Sequence, residues 1–214
     1  FGYPWSIPFE FPLYQWLVAQ ASHVTSLDIE PVARLLSVMF FGGTLAFGAA
    51  TLRRVFASYN PAAITFAFVV VSCAMVVNLY WIHQVSIETL ATLFGAAWLY
   101  FVAEAVLSER VAFIPLALFS GVLGALVKSP TMVPYFILGT ILVVSRIYLL
   151  VSSKDRKQFT LLRTVFYGAL SMAFLVPIIA AKLWTDFADG VKNQSALGSW
   201  LSLDSPALKG FNYG

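Results

Sequence analysis

Between Leu35 and Lys182 the chain holds six apolar stretches, each about long enough to cross a bilayer. Blocks of this kind leave the backbone few options. Hydrocarbon offers no water to N–H and C=O groups, so a segment lying in it must satisfy them internally. At ~1.5 Å rise per residue, a helix of ~21 residues covers roughly 30 Å, the thickness of the hydrocarbon layer. The expected fold is therefore all-α: a polytopic transmembrane helical bundle with spans at about 33–52, 61–81, 88–107, 111–127, 132–151 and 161–181.

Composition agrees. Hydrophobic residues make up 60% of the 214 and charged residues 11%, against roughly a quarter charged in soluble domains. A net charge of +3 is too small and dispersed for a nucleic-acid partner, and the basic residues read as topology signals. Cys73 is the single cysteine. It has no partner for an intrachain disulfide and reads as a small packing residue.

Three regions follow. Residues 1–30 form an outer loop whose piece Leu13–Gln20 is too short to span and reads as an interfacial helix, with Tyr14 and Trp16 at headgroup level. Residues 31–182 form the bundle, opened by Pro31 at a first helical position. Asn60-Pro61 reads as an N-cap and a proline-led first turn for the second span. Residues 183–214 read as the start of an outer loop or further domain. The ends, Phe1-Gly2-Tyr3-Pro4-Trp5 and Gly210-Phe211-Asn212-Tyr213-Gly214, look like loop interiors. A piece of a longer protein is the expectation. The four-residue repeats Gly42, Ala46, Ala50 and Gly121, Ala125 predict close helix contacts.

Arg53, Arg54, Arg110, Lys154, Arg156, Lys157 and Arg163 fall on one set of connections. Glu10, Asp28, Glu30, Glu88, Asp186 and Asp189 fall on the other, with scattered lysines. The Lys/Arg bias assigns the first set to the cytoplasm, so the second faces a periplasm or equivalent lumen. A bacterial inner membrane is the expected location.

Polar groups recur on that second side. Glu10 sits among Trp5, Phe9, Phe11 and Tyr14, where a carboxylate orients a sugar, a metal ion or a nucleophile, or simply faces water. Glu88 opens the third span beside His83, Gln84 and Ser86; it either complements a helix dipole or carries chemistry. Lys128 ends the fourth span against the charge rule. A snorkelling cation and a partner for a lipid phosphate are both open readings. A divalent cofactor held by His23 or His83 with Glu10 or Glu88 lacks ligand spacing. Arg146 and Glu104, inside spans, pair, face a cavity or snorkel, with snorkelling preferred.

Taken in order, these motifs resemble a family. Glu10-Phe11-Pro12-Leu13-Tyr14-Gln15-Trp16-Leu17 is similar to the E-x-P-L-Y-x-W-L segment of GT-C-fold glycosyltransferases, the polyprenyl-phosphate-sugar-dependent enzymes related to protein O-mannosyltransferases and lipid A aminoarabinose transferases. Pro31–Val38 looks like the family's x-x-A-R-L-x-S-x, and Leu126-Val127-Lys128-Ser129-Pro130 like its L-T-K-G-P. His83–Glu88 matches R-x-x-x-x-D with His for Arg and Glu for Asp, and Gly210–Gly214 resembles an aromatic W-x-F/Y-G-T.

The resemblance implies a GT-C-like bundle and inverting transfer of a sugar from a polyprenyl-phosphate donor to a lipid, glycan or protein acceptor, outside the cytoplasm. It implies catalytic roles for Glu10 and Glu88, and substrate contacts for Lys128, His83 and Tyr14. The family's principal catalytic Asp follows a helix preceding this segment, and the chain has no Asp before Asp28. Two other readings stand beside the enzyme: a non-catalytic accessory subunit, and a transporter, against which no internal repeat is visible.

Overall fold

The computed structural model describes residues 11–74, 87–152 and 161–193. They form six helices and, among the described residues, no strand: α1 Leu13–Thr25, α2 Ile29–Val55, α3 Pro61–Ala74, α4 Ile87–Ser108, α5 Phe113–Ser152 and α6 Leu161–Asn193. Four of them, α2, α4, α5 and α6, are long and apolar enough to cross a membrane.

Local chemistry explains most helix ends. Pro31 lies in the first turn of α2, where its missing N–H takes no bond from the helix. The helix starts at Ile29, earlier than Pro31 alone suggests, with Glu30 in its first turn and Arg53 and Arg54 in its last. Both ends thus complement the helix dipole. Asn60 Oδ1 accepts from the N–H groups of Ala62 at 2.9 Å and Ala63 at 3.3 Å, capping α3. The continuation of that span to Trp81 lies outside the described residues.

The longest helix is two limbs. Lys128 has an extended backbone (φ −160°, ψ 94°) inside α5, between helical stretches. Pro130 explains the break: it cannot donate to the Leu126 carbonyl, and its ring collides with that carbonyl in a continuous helix. The limbs fold back on each other. A straight helix of 40 residues would hold its ends about 60 Å apart. Yet Arg146, late in α5, lies 3.7 Å from Glu109, which precedes it. The sequence expectation of two stretches, 111–127 and 132–151, corresponds to these limbs.

Helix α4 is the hub, packing against α2 and α5, while α6 lies along α5. Its Trp98 is fully buried between Phe136 and Phe174, each ring centroid 4.8 Å away at a steep angle. The indole N–H donates to the Ala173 carbonyl at 3.0 Å. That carbonyl is free because the residue four positions on is Pro177, which has no N–H to give it. The indole thus repairs a proline gap in a neighbouring helix, which matters most where water is scarce. Both α5 limbs hold glycine against the same ring. A Cβ on Gly121 would lie 2.6 Å from Trp98, and one on Gly139 2.5 Å.

Some expectations need correcting. Gly121 and Ala125 are buried as the small-residue repeat predicts. Gly42, however, has open space where its Cβ would be, and Ala46 is exposed. The close contacts of α2 fall instead on Gly43, against Leu93, and Gly48, against Phe68. Helix α6 also runs past Lys182 to Asn193, through residues read as a loop. Lys182 and Asp186, 3.0 Å apart, form an i,i+4 pair on this extension.

Candidate functional site

At the end of the bundle opposite Arg53 and Arg54, four helices meet. Tyr14 and Val18 of α1, Val32 and Ala33 of α2, Leu90 and Ala91 of α4 and Val127 of α5 form one buried cluster. The next residue after Val127 is Lys128, and Leu90 is two residues after Glu88. The break in α5 therefore delivers the ammonium to the start of α4. Lys128 Nζ donates to Glu88 Oε1 at 2.5 Å, with both side chains 30% exposed. Partial burial lets such a charge-assisted bond keep more of its strength than a surface pair does. Each charge also sits where the dipole favours it, the acid in a first turn and the cation at a limb's C-terminal end.

Two connected hollows flank the break. A recess of about 210 Å³ is lined by Leu126, Lys128, Ser129, Trp184 and Thr185. A groove of about 680 Å³ runs from it between the second α5 limb and α6, along Val133, Phe136, Ile137, Ile141 and Ile178. The two share Ala125, Ser129, Pro130 and Ala181. Thus an almost wholly apolar trough opens onto a small polar mouth. Trp184 contributes a buried indole N–H with no hydrogen-bond partner among the described residues. A buried unpaired donor costs free energy unless something accepts from it. With the Lys128 ammonium and the Ser129 hydroxyl, the mouth suits an anion carrying several acceptor oxygens.

The other predicted residues fare differently. Tyr14 is buried against protein: its hydroxyl donates to the Ala33 carbonyl at 3.2 Å and lies 3.0 Å from Ser37 Oγ. Burial pushes the phenol above its ordinary pKa, with the Ser37 bond offsetting part of the shift. Tyr14 remains a neutral tie between α1 and α2. Trp16, on the same helix, faces outward. Glu10 and His83 lie outside the described residues. Phe11, which follows Glu10 in the chain, meets Trp184 edge-on with centroids 5.1 Å apart. His23 is exposed in the last turn of α1. Among the described residues no three His, Cys, Asp or Glu side chains gather as metal ligands.

Sequence reasoning missed Trp184 and Thr185, because it ended the last span at residue 181. The i,i+4 spacing of Lys182 and Asp186 was the available sign that the helix goes on. At the arginine-rich end, Arg146 and Glu104 do not pair with each other. Arg54 lies 3.2 Å from Glu104. Arg163 lies 3.2 Å from Glu109, which also faces Arg146. Both residues are thus paired with charges on other parts of the bundle, one of the arrangements expected for them.

No protein-family model, curated protein or solved structure matches this chain.

Proposed function

We propose that the chain belongs to an integral membrane glycosyltransferase that takes its sugar from a polyprenyl-phosphate donor. In this reading the α3 region and both α5 limbs each cross the bilayer, giving six crossings. The end bearing Glu88 and Lys128 faces the periplasm or its equivalent, in a bacterial inner membrane. The observation that carries the proposal is the apolar groove opening onto Lys128, Ser129 and Trp184. A prenyl chain needs the first part, and its phosphate needs the second. The order of motifs from Glu10 to Pro130 supports the same family.

The chemistry asks little of the protein. An acceptor hydroxyl oxygen attacks the anomeric carbon while the bond from that carbon to the phosphate oxygen breaks. The polyprenyl phosphate departs with the electron pair, and the hydroxyl proton passes to a carboxylate. The donor phosphate competes with Glu88 for the Lys128 ammonium. Binding of the donor therefore releases the Glu88 carboxylate to act as general base or to orient the acceptor. Lys128 offsets charge that grows on the leaving phosphate. The family resemblance assigns Glu10 as the other acidic group and His83 as a substrate contact. Tyr14 serves the site by holding α1 in place.

The accessory-subunit reading draws on the same ion pair. A Lys128–Glu88 bond that only fastens α5 to α4 needs no substrate. Sugar transfer by the full-length protein separates the two. Glu88→Gln and Lys128→Ala abolish transfer while leaving expression and fold intact if the pair is catalytic. Near-normal turnover in both variants assigns the pair to structure alone.

A further inference from the structure

A second polar mouth with an apolar trough lies at the opposite, arginine-rich end. A cavity of about 310 Å³ between α2, α3 and α4 is lined by Arg53, Arg54, Tyr59, Tyr100 and Glu104. A groove of about 590 Å³ extends from it along α3, past Ala62, Thr65, Phe66 and Val69. Both volumes lie in the usual range of ligand pockets, roughly 300–1,000 Å³. Arg53 and Pro61 line both hollows, so one guanidinium stands where polar and apolar parts join.

The charges in this mouth do not cancel. Arg54 is engaged by Glu104 at 3.2 Å, whereas no carboxylate pairs with Arg53 among the described residues. Two arginines and one glutamate leave one positive charge. Phe56 and Tyr59 are exposed beside it, as aromatic residues are at the headgroup layer. Phe66 and Val70, further along α3, are exposed toward the surroundings.

We infer that this is a binding site for an anionic phospholipid of the leaflet at the arginine-rich end. Its phosphate lies on Arg53 and one acyl chain along the Ala62–Val69 face of α3. Guanidinium recognises phosphate through paired N–H donors that lysine lacks. The trough beside it accepts hydrocarbon, which excludes a free phosphate as the preferred occupant. The site is independent of the sugar-transfer reading and lies at the other end of the bundle.

The test measures lipid retention by the purified full-length protein in detergent, using native mass spectrometry. Phosphatidylglycerol, phosphatidylcholine and inorganic phosphate are added in turn. Phosphatidylglycerol is expected to bind in preference to phosphatidylcholine, and Arg53→Gln to weaken it by about five- to tenfold. Arg53→Lys restores part of the loss. Arg110→Gln removes another exposed arginine that lines neither hollow, and leaves binding unchanged. Phe66→Ser weakens the lipid but leaves retention of inorganic phosphate unchanged, because only the chain uses the trough. Equal losses for Arg53→Gln and Arg110→Gln would reduce the effect to general surface charge and overturn the site. Inorganic phosphate binding as well as the lipid would overturn the lipid assignment. Should Arg53→Gln fail to fold, the Phe66→Ser and Arg53→Lys arms decide between the same outcomes.

Discussion

The two ends of the bundle use ion pairs for different purposes. At the arginine-rich end, Glu104 within α4 and Glu109 in the turn after it each bind guanidinium groups from other helices. Glu109 has a left-handed φ of 54°, which costs roughly 1–2 kcal/mol for a residue with a Cβ. That turn ends α4 and sets the carboxylate between Arg146 and Arg163. At the other end the Lys128–Glu88 pair sits on a backbone break, beside a hollow and an indole donor that has no hydrogen-bond partner among the described residues. One end is fastened. The other is fastened in a way that a competing anion can undo.

The largest expected effect separates those purposes most sharply. Lys128→Ala and Glu88→Gln are expected to lower sugar transfer by at least about 10²-fold, the usual scale for general acid–base and charge-stabilising groups. Thermal stability in detergent should fall by no more than about 1–2 kcal/mol, too little to unfold the protein. Glu109→Ala should differ in activity. It leaves Arg146 and Arg163 without their shared acid, and stability falls by about 1–2 kcal/mol, a figure kept low because these side chains remain a quarter to a third exposed. Activity per folded molecule stays near that of the parent.

Between the two ends lies the Trp98 lock, which should dominate stability. Trp98→Phe removes the donor to Ala173 and leaves that carbonyl facing Pro177 unsatisfied. We expect a loss of about 2–4 kcal/mol, combining the orphaned carbonyl with the space left by the indole. Gly139→Ala forces a methyl group against the same ring and costs about 1–3 kcal/mol. Unfolding followed by tryptophan fluorescence or differential scanning reads both. The smallest effect is Tyr14→Phe, about 1 kcal/mol for one hydrogen-bonded tie. A much larger loss of transfer in Tyr14→Phe would return that phenol to the substrate pocket.

How far the sequence could be read depends on the type of signal. The Asn60-Pro61 cap, the α4 limits and the division of α5 near Lys128-Ser129-Pro130 follow from local backbone chemistry, which a single sequence carries. Rotational facts were harder. The stripe Gly42, Ala46, Ala50 has the right spacing for a contact, yet the contacts fall on Gly43 and Gly48. Only the neighbouring helix decides which face is covered. Residue type suggests an interfacial Tyr14, but not its hydrogen bonds to Ala33 and Ser37, 19 and 23 positions away. The α6 overrun had a visible sign in Lys182 and Asp186, outweighed by the fall in hydropathy after residue 181. The pairing of Lys128 with Glu88 needed both a break and a helix start to meet, which sequence order alone does not state.

The most direct measurement is the affinity of the full-length protein for polyprenyl phosphate, compared between the parent, Lys128→Ala and Arg53→Gln. The account predicts that the tighter saturable binding weakens at least about tenfold in Lys128→Ala and stays unchanged in Arg53→Gln, which affects only weaker binding at the opposite end. Equal affinity in the parent and Lys128→Ala proteins would contradict it.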